Sequence, residues 1–222
     1  MSGHKPGPKS VSLFDGIPED RVLRELERMG ADVVDYEKNS CIIREGEKSD
    51  RFGVVMSGSV RVEHTDAAGN RNIAFHVLSG NLFGAAEVLS HSELRWGIYA
   101  NEDCRVILFR RDVLSEPCGK SEYHHRFILN VLGCVAQSGM LLGEKIDVLS
   151  KRTTRERLMT FLRHEEQRHG TREFDILFDR QGLADYLCVD RSALSAEIGR
   201  MRADGLIEAR RSHFKLLYSF DL

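Results

Sequence analysis

Apolar positions change their spacing three times along this chain. Between residues 128 and 149, Ile128, Leu132, Val135, Gly139, Leu142, Ile146 and Leu149 are separated alternately by four and three residues. That is the a/d rhythm of a helix whose apolar seam pairs with another helix. The spacing predicts a long dimerisation helix over 121–149. Only Gly139 breaks the run of large side chains. A glycine inside a helix costs about 1 kcal/mol relative to alanine, and at a seam it lets two backbones come close. Before this helix, from Val33 to Phe109, short β-rich runs recur: Cys41–Ile43, Phe52–Met56, Val60–Val62, Ile73–Val77 and Val106–Phe109. Glycines punctuate them, Val60 to His64 alternates apolar with polar, and Asp66 to Asn70 reads as a hairpin turn. Many short strands with regular turns predict a β-barrel or sandwich. Ile17 to Gly30 has a helical pattern stopped by Gly30, and residues 1–12 have little to bury.

After Lys151 the period changes again. Thr154 to His169 is helical, with Leu158, Phe161 and Leu162 inward. Phe174 to Phe178 alternates like a strand. Two short helices follow, then Leu206–Glu208 and Phe214–Tyr218, a strand pair around the basic turn 210–213. The informative stretch is DRQGLADYLCVDRSALSAEIGRMRADGLI, residues 179–207. Asp179 suits the N-cap of a first helix and Asp190 that of a second. Leu183, Ala184 and Leu187 face Leu194, Ile198 and Met201 across the turn Cys188–Val189, and small Ala184 permits a close crossing. This is the pattern of a helix-turn-helix, whose second helix enters the major groove. The exposed start of that helix offers Arg191, Ser192 and Ser195 beside Asp190. An arginine can donate two hydrogen bonds to guanine. Arg180 and Gln181, at the start of the first helix, are placed to meet phosphates.

Charge changes this picture little. The 222 residues carry a net charge of -2, and residues 151–222 hold 14 basic against 12 acidic side chains. This permits DNA binding without arguing for it. The five cysteines, Cys41, Cys104, Cys118, Cys134 and Cys188, form no CxxC pair, so zinc and iron–sulfur readings lack their ligand spacing. They read as mostly buried, reduced thiols. The N-terminus lacks an apolar core of signal-peptide length, and no run approaches the length of a membrane span. The expectation is a cytoplasmic protein with no membrane partner.

The segments LFDGIPED, IIREGEKSDRFGVVMSGSVRV, DAAGNRNIAFHVLSGNLFG and DRQGLADYLCVDRSALS, in that order, resemble the CRP/FNR family of transcription regulators over nearly the whole chain. The resemblance implies an α+β fold: a cyclic-nucleotide-binding-like β-roll over 1–120, the dimerisation helix over 121–149 and a winged helix-turn-helix over 150–222. It implies a homodimer on a roughly palindromic double-stranded DNA operator, a small-molecule effector, and RNA polymerase as a further candidate partner. It places Gly84, Ala85, Arg95 and Trp96 around the effector site.

Two departures from the family pattern stand out. Cyclic-AMP-binding members carry a Gly-Glu pair where this chain has Gly84 and Ala85, so the acceptor for the ribose hydroxyl is missing. They follow the phosphate-binding arginine with a small hydroxyl residue, where this chain follows Arg95 with Trp96. Cyclic AMP is therefore not the expected effector. In the recognition helix, many members have an arginine where this chain has Ala196, so their half-site does not carry over. No cofactor is expected: His76, His124 and His125 are haem-ligand candidates by type alone. A catalytic cupin-like barrel would need clustered His and carboxylate ligands, and His64 and His76 have no HxH pair. A cyclic-nucleotide-binding-type module without DNA activity is the other alternative, and the helix-turn-helix speaks against it. The chain reads as a regulator, not an enzyme.

Overall fold

The computed structural model describes residues 13–115 and 122–217. The expectations for residues 1–12, Cys118, Tyr218 and a boundary at 120/121 lie outside these residues. Two compact units emerge, one drawn from 10–64 and 74–140, the other from 65–73 and 141–222. The long helix contributes to both.

The first unit contains α1 (Glu19–Arg28), β1 (Asp32–Tyr36), β2 (Cys41–Ile43), β3 (Arg51–Ser57), β4 (Ser59–Thr65), β5 (Arg71–Leu78), β6 (Leu82–Phe83), α2 (Ala85–Ser90), β7 (Gly97–Ala100), β8 (Cys104–Arg110) and the start of α3 (Glu122–Ser150). The tip of the β4–β5 hairpin is counted with the second unit. The strands form two antiparallel sheets, in the orders β1-β8-β3-β6 and β2-β7-β4-β5. Period-two alternation splits β8 and β3 between two cores. Val106 and Val55 point between the sheets, with Ile43, Val60, Ile98 and Ala100 from the other sheet. Ile107, Phe109, Phe52 and Val54 point the other way, against Leu26 of α1 and Phe127, Val131 and Cys134 of α3. A strand buried on both faces reads as a continuous apolar run, as Val106–Phe109 does.

The alternation expected for β4 is only half right. Arg61 and Glu63 are 6% and 7% exposed, not solvated. They tolerate burial because the Arg61 Nε donates to Glu63 at 2.6 Å and its Nη1 to the Ala100 carbonyl at 2.7 Å, so neither charge is left alone.

Within the described residues, helix α3 runs to Ser150, one residue beyond the end that the spacing predicts. Its expected seam divides. Ile128 and Val135 pack partly against the first unit's core, and Leu149 is half-buried. Leu132, Leu142 and Ile146 stay exposed together with Leu129 and Met140, and Gly139 lies on the same open side. From Phe127 to Gly143 the helix has no charged residue. The span Tyr123–Ser150 is long and apolar enough to cross a membrane by length and composition alone, an 18-residue window within it having a mean hydropathy of 1.4. That corrects the expectation that no run reaches such a length. On the side facing its own unit, Asn130 donates to the carbonyls of Leu13 and Asp15 at 2.8 and 2.9 Å.

The second unit continues with α4 (Thr154–His169), β9 (Glu173–Asp175), α5 (Arg180–Leu187), α6 (Arg191–Ala203), β10 (Ile207–Arg210) and β11 (His213–Leu216). A full capping box opens α4: the Thr153 hydroxyl accepts from the Glu156 N–H, and the Glu156 carboxylate accepts from the Thr153 N–H. Such a box satisfies two orphan donors at once. The strand expected over Phe174–Phe178 stops at Asp175. Ile176 and Phe178 instead enter the core from irregular backbone, beside Phe161, Leu183, Leu187, Leu194, Met201 and Phe214.

Candidate nucleic-acid interface

The helices α5 and α6 meet across Cys188 and Val189. Asp179 caps α5, accepting from the Gly182 N–H at 2.7 Å. Cys188 ends α5 in the left-handed region at φ 52° and ψ 53°, a conformation that normally favours glycine. Arg157 of α4 braces this turn from outside, donating to the carbonyls of Leu187 and Cys188 at 3.1 and 3.2 Å. Asp190 occupies the N-cap of α6 as the sequence predicts, but its side chain makes no capping hydrogen bond. The expected capping interaction is thus absent, and the Asp190 carboxylate is exposed.

Arg191, Ser192 and Ser195 line the exposed start of α6. Among the described residues none of them has a hydrogen-bond partner, so their donors are free for a ligand. Ala196 lies on the same open face. Gln181 is also exposed, and its Nε2 donates to Asp185 at 2.7 Å. Arg180, expected to meet phosphates, is engaged within its own unit. It is half-buried, stacks over Phe214 at 5.8 Å and donates to the Arg211 carbonyl at 3.2 Å. Its Nη1 is buried without a partner among the described residues. Burial and the nearby positive Arg191 both push its pKa down. Among the described residues neither Arg180 nor Arg191 pairs with a carboxylate, and two unpaired guanidiniums close enough to repel each other favour an anion nearby.

Helix α6 is tied to α4 by charge. Glu197, 5% exposed, accepts from Arg155 Nε at 2.6 Å and from Arg200 Nε at 2.9 Å. Arg155 also reaches Asp204 at 2.7 Å. Hydrogen bonds from Arg155 first, and from Arg200, hold the Glu197 carboxyl below its usual pKa. Behind α6, β10 and β11 form a hairpin whose turn, Arg211–Ser212, exposes Arg210 and Arg211. Sequence reasoning missed Arg155 and Arg157. Neither belongs to the helix-turn-helix motif, and a basic residue on an amphipathic helix reads as solvated surface.

In the first unit, Gly84 takes φ +74° as it leads into α2, and Ala85 is buried at 3% exposure. Arg95 is exposed. Trp96 is half-buried and stands edge-on to His64, with ring centroids 5.7 Å apart, and His64 Nδ1 lies 2.6 Å from the Glu45 carboxylate. Of the histidines, His124 is buried against Phe127 and His125 is exposed, so the pair does not share one solvated face. Cys104 and Cys134 are buried, but Cys41 and Cys188 are exposed, which corrects the expectation of mostly buried thiols.

Residues 33–120 match the cyclic nucleotide-binding domain and residues 156–218 the Crp-like helix-turn-helix domain. The nitrogen fixation regulation protein FixK of Azorhizobium caulinodans is 27% identical over 225 residues, covering 96% of this chain and 86% of that protein. The human cGMP-dependent protein kinase 2 is 26% identical over 122 residues, 54% of this chain; the match spans only 16% of the kinase. Among solved structures, the c-di-GMP responsive global regulator CLP of Xanthomonas campestris superposes with a TM-score of 0.73 at 16% identity, covering 91% of this chain and all of that one. With both domain matches collinear on one chain and a long helix between them, the protein belongs to the CRP/FNR family of transcription regulators.

Proposed function

We propose that the protein acts as a homodimer on a roughly palindromic operator in the cytoplasm, each protomer presenting α6 to one half-site. The observation that carries this reading is the exposed start of α6, where Arg191, Ser192 and Ser195 have no hydrogen-bond partner among the described residues, together with the buried, unpartnered Nη1 of Arg180 at the start of α5. In this reading Arg191, Ser192 and Ser195, with Asp190, face the bases, while Arg180 and Gln181 face the phosphates. The dimer forms through the open side of α3, with Leu132, Gly139, Leu142 and Ile146 at its centre and Ile128, Val135 and Leu149 at its margin. RNA polymerase is a downstream partner.

The effector is a small, partly apolar anion rather than cyclic AMP. Arg95 supplies an exposed cation next in sequence to the aromatic Trp96, while Ala85 offers no acceptor to a ribose hydroxyl. A buried hydroxyl left unpaired costs about 1–3 kcal/mol. Selection of bound genomic fragments, followed by anisotropy on the recovered sequence, tests the DNA reading. Arg191→Ala should weaken operator binding by about 1–3 kcal/mol and spare random DNA; equal losses on both would show that Arg191 does not read bases. Calorimetry should find no cyclic AMP binding below millimolar concentration, and Trp96 fluorescence reports on candidate carboxylic acids.

A further inference from the structure

Asp185 lies one turn after Gln181 on α5 and is 9% exposed. One carboxylate oxygen accepts from Gln181. The other accepts from Arg71 Nε at 2.7 Å, with Arg71 Nη2 at 2.5 Å. Arg71 comes from the far side of the sequence. It is the first residue of β5, in the hairpin tip 65–73 that forms part of the same compact unit as the DNA-binding helices.

The tip is fastened at several points. Ile73, 2% exposed, belongs to the core shared by α4, α5 and α6. Lys145 of α3 donates to the Ile73 carbonyl at 2.8 Å, to Asn72 Oδ1 at 3.3 Å and to the Tyr186 carbonyl of α5. Within the tip, the Asp66 carboxylate accepts from the backbone N–H groups of Ala68 and Asn70 at 2.9 and 2.8 Å. The turn therefore holds its own shape and delivers Arg71 to Asp185 with little freedom.

We propose that Arg71 is a positioning residue for DNA binding: it neutralises Asp185 and, through that carboxylate, holds Gln181 ready for a backbone phosphate. The inference rests on the reading that the start of α5 meets phosphate. Without Arg71, a carboxylate with little water around it stands one helical turn from the incoming phosphate and repels it. At that separation, in a medium between protein and water, the repulsion corresponds to about tenfold in affinity.

The test uses full-length protein and anisotropy on the selected operator and on a random duplex of equal length. Arg71→Ala should weaken binding to both by about tenfold. Arg71→Lys, which keeps the charge, should stay within about threefold of the wild type. Adding Asp185→Asn to Arg71→Ala should restore affinity, because the repelling charge is gone while the amide still accepts from Gln181. A merely structural role predicts the reverse, since the double variant lacks both partners. If Arg71→Ala fails to fold, Asp185→Asn alone decides: it should bind at least as tightly as the wild type. Wild-type affinity in Arg71→Ala, no rescue in the double variant, or weakened binding by Asp185→Asn would overturn the proposal. Wild-type protein that binds neither duplex would overturn the DNA reading itself, and this inference with it.

Discussion

Replacing Lys145 with methionine should change how stability responds to alkali. The Lys145 ammonium is 5% exposed. It lies 4.0 Å from the Tyr186 ring centroid, and the oxygens it donates to are all uncharged. Burial lowers its pKa from 10.5 to about 8. Between those values the unfolded chain holds the proton and the folded chain does not, so this group makes stability rise with pH across the window. At 1.36 kcal/mol per pKa unit, a gap of about 2.5 sets a ceiling of about 3 kcal/mol, complete near pH 10.5. Other groups oppose it. Burial raises Cys134 to about 11 and lifts the Tyr186 phenol as well, and such acids lose stability as pH climbs past their ordinary values. Both remain in Lys145→Met, so the difference between the two proteins isolates Lys145. Urea unfolding at pH 7.5 and pH 10, followed by circular dichroism, should show the wild type gaining about 2–3 kcal/mol relative to the variant. Nuclear magnetic resonance of the Lys145 ε-methylene should titrate near pH 8. A midpoint at or above 10.5, or a difference that stays flat or falls with pH, would refute the reasoning.

Cys188→Gly should raise thermal stability by about 1 kcal/mol, because a left-handed residue with a Cβ is strained, with DNA affinity unchanged; a lower melting temperature would contradict it. Asp179→Ala should cost about 1 kcal/mol for its lost cap, while Asp190→Ala should cost much less, since the Asp190 carboxylate makes no capping bond; equal losses in urea would count against the assigned caps. Ile146→Asp, at a residue 69% exposed, should leave the fold intact yet yield monomers in sedimentation velocity and abolish operator binding; a variant that stays dimeric would move the interface elsewhere.

The elements with strong periodicity were legible from the residues alone. Thr154–His169 is helical over the range its pattern implies, because Thr153 and Glu156 form the cap and Gly170 takes the left-handed stop. The helix-turn-helix was equally legible, since Leu183, Ala184, Leu194 and Ile198 must meet for any of them to be buried. What escaped was long-range polar pairing. Arg61 and Glu63 read as solvated because alternation cannot say what covers a strand's polar face. Arg71 and Lys145 carry no motif, as their partners lie 114 and 41 residues away. The short strands β6 and β7 and the helix α2 also escaped, being too short to show a period. The apolar spacing of α3 was legible but not which surface each position meets, because heptad spacing fixes the interval between contacts and not which neighbour receives them.

The helix α3 is continuous from Glu122 to Ser150, yet it places weak helix formers at its middle. Gly139 and Gly143 lie four residues apart on its open side, and a Cβ added at either would meet nothing within 4 Å. They flank the junction between Met140 and Leu141, where the two compact units divide. Two glycines together forgo about 2 kcal/mol of helix propensity relative to alanine. Protection against hydrogen exchange should therefore dip at residues 139–143 and rise again on either side. Filling both positions with alanine, which meets no steric obstacle from within the chain, would stiffen the segment and erase the dip.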